Sequence, residues 1–193
     1  MPDFSLGGIH FYHRSLGVFF LDGGAMFGVV PRVLWEPLYP PDEKNRIRLG
    51  FNVLLVQTPR EKILIDNGIG SKISARIKEI YSVQWEGFTP LPFPPESIDY
   101  VVLTHLHFDH CGGSTEFREG SSEPIPSFPN ATYFLQKEEW DFAQILNERT
   151  RASYFPENYV PLHQHKVLSL VKGEEEISPS CRVIPTPGHT PGH

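Results

Sequence analysis

The stretch of sequence that decides the fold is Thr104-His105-Leu106-His107-Phe108-Asp109-His110. It holds three histidines and an aspartate within a few residues, and Pro187-Gly188-His189 supplies one more histidine much later in the chain. Imidazole nitrogens and carboxylate oxygens are ligands that suit zinc and its first-row neighbours. The pattern therefore predicts a site for two divalent metal ions.

The spacing of these side chains predicts how the two ions would be shared. Residues 98–103 are apolar and β-branched, which is typical of a buried strand, so the motif lies where a strand ends. On an extended segment, positions two apart share a face, and His105 and His107 can therefore hold one metal. Asp109 and His110 fall where the chain turns and can serve a second metal beside the first.

Composition limits the class of protein. The chain has 193 residues, 39% hydrophobic and 21% charged, which is typical of one globular domain. The formal net charge of −6 argues against binding to nucleic acid or anionic membranes. The sequence contains neither a secretory signal nor an apolar run long enough for a membrane span, so we expect a cytoplasmic location.

Periodicity and turn residues predict the elements around the motif. We expect strands near 48–57, 62–66, 98–104, 131–136, 166–171 and 181–186, and a helix over 137–147. We also expect two short strands within 9–23 joined near Gly17, and a helix capped by Ser71 that ends near Tyr81. The ranges 119–130 and 152–163 are predicted to be loops, and Glu174–Glu176 a solvated turn. This order predicts mixed sheets with helices outside.

The segment His105–His110, with Thr-Pro-Gly-His-Thr-Pro-Gly-His at 186–193, resembles the metallo-β-lactamase superfamily of hydrolases. Lys62–Gly68 is similar to the family's early strand, which ends in an acidic residue below the metals. Gly24–Pro31 resembles a loop of the branch that contains N-acyl homoserine lactonases. The resemblance implies an α+β fold, the αββα sandwich of two similar halves, with residues 1–193 forming a single domain.

The resemblance also implies a ligand set. Five of the family's ligands are present by motif: His105, His107, Asp109, His110 and His189. In the family, a bridging aspartate and a last histidine follow and complete the shell of the second metal, whereas this sequence stops at His193. We therefore expect the C-terminal half to be largely missing, the domain to be incomplete at its C-terminus, and the second metal to bind weakly. Zinc is the expected metal, and manganese, iron and cobalt accept the same ligands.

Four further residues are candidates for roles at the site. Asp66 is expected to hydrogen-bond a ligand imidazole and fix its tautomer, although Asp-Asn-Gly is also a good turn sequence. Met26 and Phe27 could line an acyl-binding groove, although apolar side chains at this density are more often part of a core. His193 is expected to be a packing or supporting histidine rather than a ligand.

The expected chemistry is hydrolysis by metal-bound hydroxide. A divalent ion lowers the pKa of its water to about 7, which provides a nucleophile for attack on a carbonyl carbon. Asp109 could act both as a ligand and as the base that orients the nucleophile. The branch resemblance favours a small-molecule lactone or another carboxylic ester as the substrate.

Other functions remain open from the sequence. The repeated Pro-Gly-His also resembles glyoxalase II, a thioester hydrolase, and the histidines would suit a one-iron dioxygenase. The chain could instead be a truncated metal-binding fragment without turnover, and for residues 1–193 alone we expect weak or no activity. Such a fragment could form a homodimer through an apolar face that is left uncovered.

Overall fold

The computed structural model describes residues 3–118 and 120–193. Its strands are β1 (Phe4–Leu6), β2 (Ile9–Asp22), β3 (Arg46–Gln57), β4 (Lys62–Ile65), β5 (Gln84–Trp85), β6 (Tyr100–Val102), β7 (Thr115–Phe117), β8 (Pro124–Pro126), β9 (Thr132–Gln136), β10 (Leu168–Val171), β11 (Glu175–Ser178) and β12 (Cys181–Val183). Its α-helices are α1 (Gly23–Phe27), α2 (Arg32–Trp35), α3 (Ala75–Ile80), α4 (Phe108–Cys111), α5 (Lys137–Phe142) and α6 (Val160–Gln164). Short 3-10 helices span Pro95–Ser97, Gly112–Ser114, Arg151–Ser153 and Pro156–Asn158.

One large sheet organises the molecule. Its strands run in the order β1-β2-β3-β4-β6-β9-β10, and β5 pairs with β2 beside this path. Neighbours are antiparallel from β1 to β4 and parallel from β4 through β6 and β9 to β10. Small two-stranded sheets form from β7 with β8 and from β11 with β12. The α+β class expected from the sequence is confirmed.

The parallel part of the sheet positions the histidine motif. Strands β4, β6 and β9 run in the same direction, so the segments that follow them leave the sheet at one edge. Asp66 follows β4, the histidine motif follows β6, and helix α5 follows β9. Loops at such an edge commonly carry binding and catalytic groups.

Alternating apolar residues build the core beneath this edge. In β3, Phe51, Val53 and Leu55 are buried while the residues between them are more exposed, as expected for a strand with one face inward. The ring of Phe19 in β2 stacks on that of Phe51 with centroids 4.5 Å apart. The long antiparallel pairing of β2 with β3 therefore buries one continuous apolar face.

The expectation of two short strands near the N-terminus is wrong. The structure has one strand of 14 residues, β2, with a register shift between Ser15 and Val18. Gly17 adopts φ 133° within this irregularity and pairs with Trp85 of β5. The glycine therefore marks a bulge in a continuous strand instead of a hairpin turn.

Other element boundaries also differ from the prediction. Helix α3 begins after Ser74, because its side chain, and not that of Ser71, caps the helix by accepting a hydrogen bond from the Ile77 amide at 3.3 Å. Helix α5 ends at Phe142. The acidic run Glu174–Glu176, which was expected to form a turn, contributes its last two residues to strand β11, which pairs with β12.

The two ranges expected to be loops contain regular structure. Within 119–130, β8 pairs with β7, and residue 119 lies outside the described residues. Within 152–163, a 3-10 turn leads into α6. Among the described residues, no helix combines the length and the apolar composition needed to cross a bilayer.

Candidate metal centre

Three histidines from distant parts of the sequence meet at the edge of the sheet. His105 and His107 follow β6, and His189 lies in the segment after β12. One ring nitrogen from each can be chosen so that all three atoms lie within 4.8 Å of one another. We call these three residues the histidine triad.

His105 is the buried member of the triad. Its side chain is 1% exposed, and its Nε2 has no hydrogen-bond partner within the described chain. Its Nδ1 lies 3.0 Å from the hydroxyl of Thr104. Burial, together with the neighbouring histidines, lowers the pKa of His105 to about 2. The ring is therefore neutral, which is the state that binds a metal ion.

His107 and His189 face each other across the open side of the triad. His107 Nδ1 and His189 Nε2 are 3.0 Å apart, and which of the two carries a proton depends on the tautomers. Burial and the nearby histidine rings lower the pKa of His107 to about 4. The pKa of His189 is also lowered, chiefly by burial.

Asp109 and His110 form a second group beside the triad. The His110 ring centroid lies 4.1 Å from that of His105, and His110 Nε2 is 3.5 Å from Asp109 Oδ2. Burial raises the pKa of the Asp109 carboxyl group. Burial opposes protonation of His110, but its hydrogen bond with Asp66 and the charge of Asp109 raise its pKa overall.

Asp66 connects this second group to the end of strand β6. Its carboxylate accepts hydrogen bonds from the Thr104 amide at 2.9 Å and from the Thr104 hydroxyl, and it lies 2.8 Å from His110 Nδ1. Its backbone also adopts a left-handed conformation, with φ 56°. Asp66 is therefore a turn residue and, at the same time, the hydrogen-bond partner of an imidazole.

A divalent metal ion fits the side chains that are present. The triad offers three imidazoles, and the buried Nε2 of His105 has no partner among the described residues. An unpaired buried polar atom is costly in a protein interior, and a metal ligand bond would remove that cost. Three imidazoles also match the donor set of a zinc site with an open position.

Comparison with known proteins now identifies the family. The sequence profile described as the Metallo-beta-lactamase superfamily matches residues 47–193. The chain belongs to the metallo-beta-lactamase superfamily. The match covers both the His105–His110 segment and the segment that carries His189.

Relatives within the superfamily include proteins named as lactonases and hydrolases. An N-acyl homoserine lactonase of Bacillus cereus is 34% identical over 101 residues, which is 52% of this chain and 33% of the relative. A probable metallo-hydrolase, YflN, of Bacillus subtilis is 27% identical over 150 residues, which is 74% of this chain and 54% of the relative. The matches thus span about a third to a half of the length of these curated relatives.

A solved structure extends the likeness over nearly the whole chain. A probable metal-dependent hydrolase from Staphylococcus aureus superposes with a TM-score of 0.88 at 33% identity, covering 98% of this chain and 68% of that one. This agreement supports the metallo-beta-lactamase fold expected from the sequence.

Met26 and Phe27 lie in helix α1, where Phe27 packs against two other aromatic rings. The Phe27 ring stacks on Trp35 at 4.9 Å and lies 5.5 Å from the Tyr39 ring. Met26 is 46% exposed. The proposed role of these two residues in an acyl-binding groove stays a prediction.

The sequence did not predict the roles of two residues that contact the candidate metal centre. The hydroxyl and amide of Thr104 both bind Asp66, and the proximity of Thr104 to His105 in sequence was the available signal. Glu139 accepts a hydrogen bond from the Leu106 amide, and no motif indicates it.

His193, expected to be a supporting histidine, lies 2.9 Å from the Thr186 hydroxyl through Nδ1. Its ring centroid is 5.1 Å from that of His105.

Proposed function

We propose that the chain is the metal-binding part of a hydrolase that opens a lactone or another carboxylic ester. The observation that carries this proposal is the histidine triad, with its ring nitrogens within 4.8 Å of one another. The similarity to proteins named N-acyl homoserine lactonase supports a lactone substrate. Membership of a superfamily of metal-dependent hydrolases supports the reaction type.

The residues would divide the metal ions between them. His105, His107 and His189 would hold one divalent ion, most simply zinc, and Asp109 and His110 would contribute to a second. When bound, such an ion supplies an ionised water at neutral pH and polarises a carbonyl oxygen.

The protein's own groups would orient the reaction around these ions. The Asp66 carboxylate accepts a hydrogen bond from His110 Nδ1, which leaves Nε2 of that ring available as a ligand. Asp109 Oδ2 lies beside this nitrogen and can accept a proton from the attacking nucleophile. The buried edge of the sheet around His105 keeps bulk water from one side of the centre.

The test is hydrolysis of a substrate panel by the zinc-loaded chain. The panel contains acyl homoserine lactones, simple esters, thioesters and phosphodiesters, and the control is the His105→Ala variant. Ester or lactone cleavage that disappears in the variant supports the proposal. Cleavage of the thioester alone would favour the glyoxalase II-like alternative, and phosphodiester cleavage without lactone cleavage would contradict the assignment.

Zinc binding without any turnover would instead favour the alternative of a metal-binding fragment. The cytoplasmic location, the single domain and the homodimer also stay predictions. Sedimentation of the purified chain over a range of concentrations would test the homodimer.

A further inference from the structure

Glu139 is a completely buried acidic residue that the proposed reaction does not use. It lies in helix α5, after strand β9, and its side chain has 0% exposure. Burying a carboxyl group is unfavourable unless donors replace its lost hydration. Its hydrogen bonds therefore show which neighbouring segments it stabilises.

One oxygen of Glu139 is bound to the segment that carries the first two histidines. Oε1 accepts a hydrogen bond at 3.0 Å from the backbone amide of Leu106, the residue between His105 and His107. This contact fixes the peptide from which both rings project. The other oxygen, Oε2, is buried and has no partner within the described chain.

The same oxygen reaches the His107 ring through Tyr154. The Tyr154 hydroxyl donates to Glu139 Oε1 at 2.9 Å. The Tyr154 ring meets the ring of His107 edge-on, with centroids 4.9 Å apart. Glu139 thus holds the aromatic side chain that supports one side of His107.

The backbone of Glu139 contacts the segment that carries the third histidine. A Cβ atom added to Gly192 would lie 2.1 Å from the Glu139 nitrogen and 2.6 Å from its Cα. The turn that follows His189 therefore packs directly on the first turn of helix α5. Glu139 is the residue at which both segments of the triad meet.

We propose that Glu139 is a positioning residue of the metal centre. Its carboxyl oxygen and its backbone set the separation between His105 and His107 on one side and His189 on the other. The inference rests on the proposed function, because it takes the histidine triad to be a metal site. The role requires the length and the acceptor atom of the side chain, and it does not require its negative charge.

Three substitutions at one position separate geometry from charge. Glu139→Gln keeps the acceptor oxygen at the same distance and removes the charge, and its amide replaces the oxygen that has no partner. Glu139→Asp keeps the charge but shortens the side chain, and Glu139→Ala removes both. We expect Glu139→Gln to retain most of the zinc affinity, and Glu139→Asp and Glu139→Ala to weaken it by about 10–100-fold, as for other residues that support metal ligands.

Zinc affinity is measured by titration against a chromophoric chelator, and the geometry of the site by the visible absorption spectrum of the cobalt-loaded chain. Tyr154→Phe removes one donor to Glu139 and should change the cobalt spectrum. Tyr133→Phe is its matched control, because the Tyr133 hydroxyl is also buried but bonds Ser114 and Phe128 instead. Glu138→Gln, at the exposed neighbouring position, controls for charge on the same helix.

The outcomes distinguish this inference from the proposed function. Wild-type zinc affinity in all three Glu139 variants would overturn the positioning role. The role would also be overturned if zinc affinity followed the charge, so that only Glu139→Asp resembled wild type. If Glu139→Ala does not fold, the comparison of Glu139→Gln with Glu139→Asp decides alone. If wild type binds zinc no better than His105→Ala does, the proposed metal site is wrong, and the inference fails with it.

Discussion

At the scale of single residues, Asp66 combines a backbone conformation with a hydrogen-bonding role. Its left-handed φ of 56° is tolerated by aspartate and asparagine better than by most residues. The same geometry turns its carboxylate toward Thr104 and His110. A substitution that keeps the backbone conformation can therefore test the carboxylate separately.

We expect Asp66→Asn to lower the free energy of unfolding of the metal-free chain by about 1–3 kcal/mol, because a buried acceptor is replaced by a group that also donates. Urea denaturation measures this loss. Asp99→Asn is the control, since Asp99 also accepts a backbone hydrogen bond, from Lys62, but lies at the opposite end of β6. Equal stability of the two variants would contradict the role given to Asp66.

Lys72 leads to a prediction about pH. Its ammonium donates to the carbonyl oxygens of Gly112 and Thr115 at 2.6 and 2.5 Å, and burial lowers the pKa of Lys72 to about 8 from an ordinary 10.5. Between these two values the unfolded chain binds more protons than the folded chain, so stability should rise with pH across this window. The rise attributable to Lys72 is at most about 3–4 kcal/mol.

Urea denaturation measures the free energies of unfolding of Lys72→Met and wild type at a series of pH values from 7 to 11. This range spans the two pKa values of Lys72. The variant lacks the titrating group, so the difference between the two curves of stability against pH isolates the contribution of Lys72. We expect wild type to gain stability relative to the variant as the pH increases through the window. A constant difference would show that the pKa of Lys72 is not lowered in the folded chain.

At the scale of elements, the bulge in β2 depends on Gly17. A Cβ at this position would lie 2.0 Å from the carbonyl oxygen of Gln84, so a larger residue would force β5 away from β2. Gly8 provides a comparison, because its φ is also positive, 82°, and an added Cβ would meet nothing within 4 Å.

We expect Gly8→Ala to reduce stability by about 1–2 kcal/mol, the cost of a left-handed alanine. Gly17→Ala should reduce it by a further 1–3 kcal/mol or so, because it adds a steric clash to the backbone strain. Denaturant midpoints of the two variants measure the difference. Similar losses would indicate that β5 adjusts to the added methyl group.

At the scale of the whole molecule, a bound metal would connect segments that are far apart in sequence. His189 follows the last strand, whereas His105 and His107 follow β6. A ligand that binds only the folded state stabilises it by about 2.7 kcal/mol at a concentration 100 times its Kd. For a chain of this size, each kcal/mol shifts the melting temperature by about 2–4 °C.

We therefore expect EDTA to lower the melting temperature of the zinc-loaded chain by roughly 5–10 °C, and added zinc to restore it. Calorimetry or thermal fluorescence measures the shift. His189→Ala, which removes the exposed member of the triad, should show little response to either reagent. A full response in that variant would exclude His189 from the site.

The histidine motif and the sheet around it could be predicted from sequence because their signals are local. Alternating or continuous apolar runs mark β3, β4 and β9, and the motif was predicted to follow a strand, as it follows β6 in the structure. The convergence of His189 on these residues was expected from the family resemblance, since nothing local to residues 186–193 indicates a distant partner.

The remaining features depend on contacts between distant segments. Gly17 is a turn residue by composition, and only the pairing of β2 with both β3 and β5 makes it a bulge. Glu139 lies in an ordinary amphipathic helix, and its role depends on Leu106 and Tyr154, each more than ten residues away. Neither feature leaves a pattern in its own neighbourhood that sequence reasoning could use.

The close approach of Gly192 to helix α5 means that the tandem Thr-Pro-Gly-His at 186–193 is not a true repetition in physical terms. Gly188, in the first copy, has φ 150° and open space around it, so backbone conformation alone requires glycine there. Gly192, in the second copy, is required because another backbone occupies the place of its side chain. Two identical tetrapeptides thus need their glycines for unrelated physical reasons, a left-handed backbone in one and the space taken by a neighbouring helix in the other.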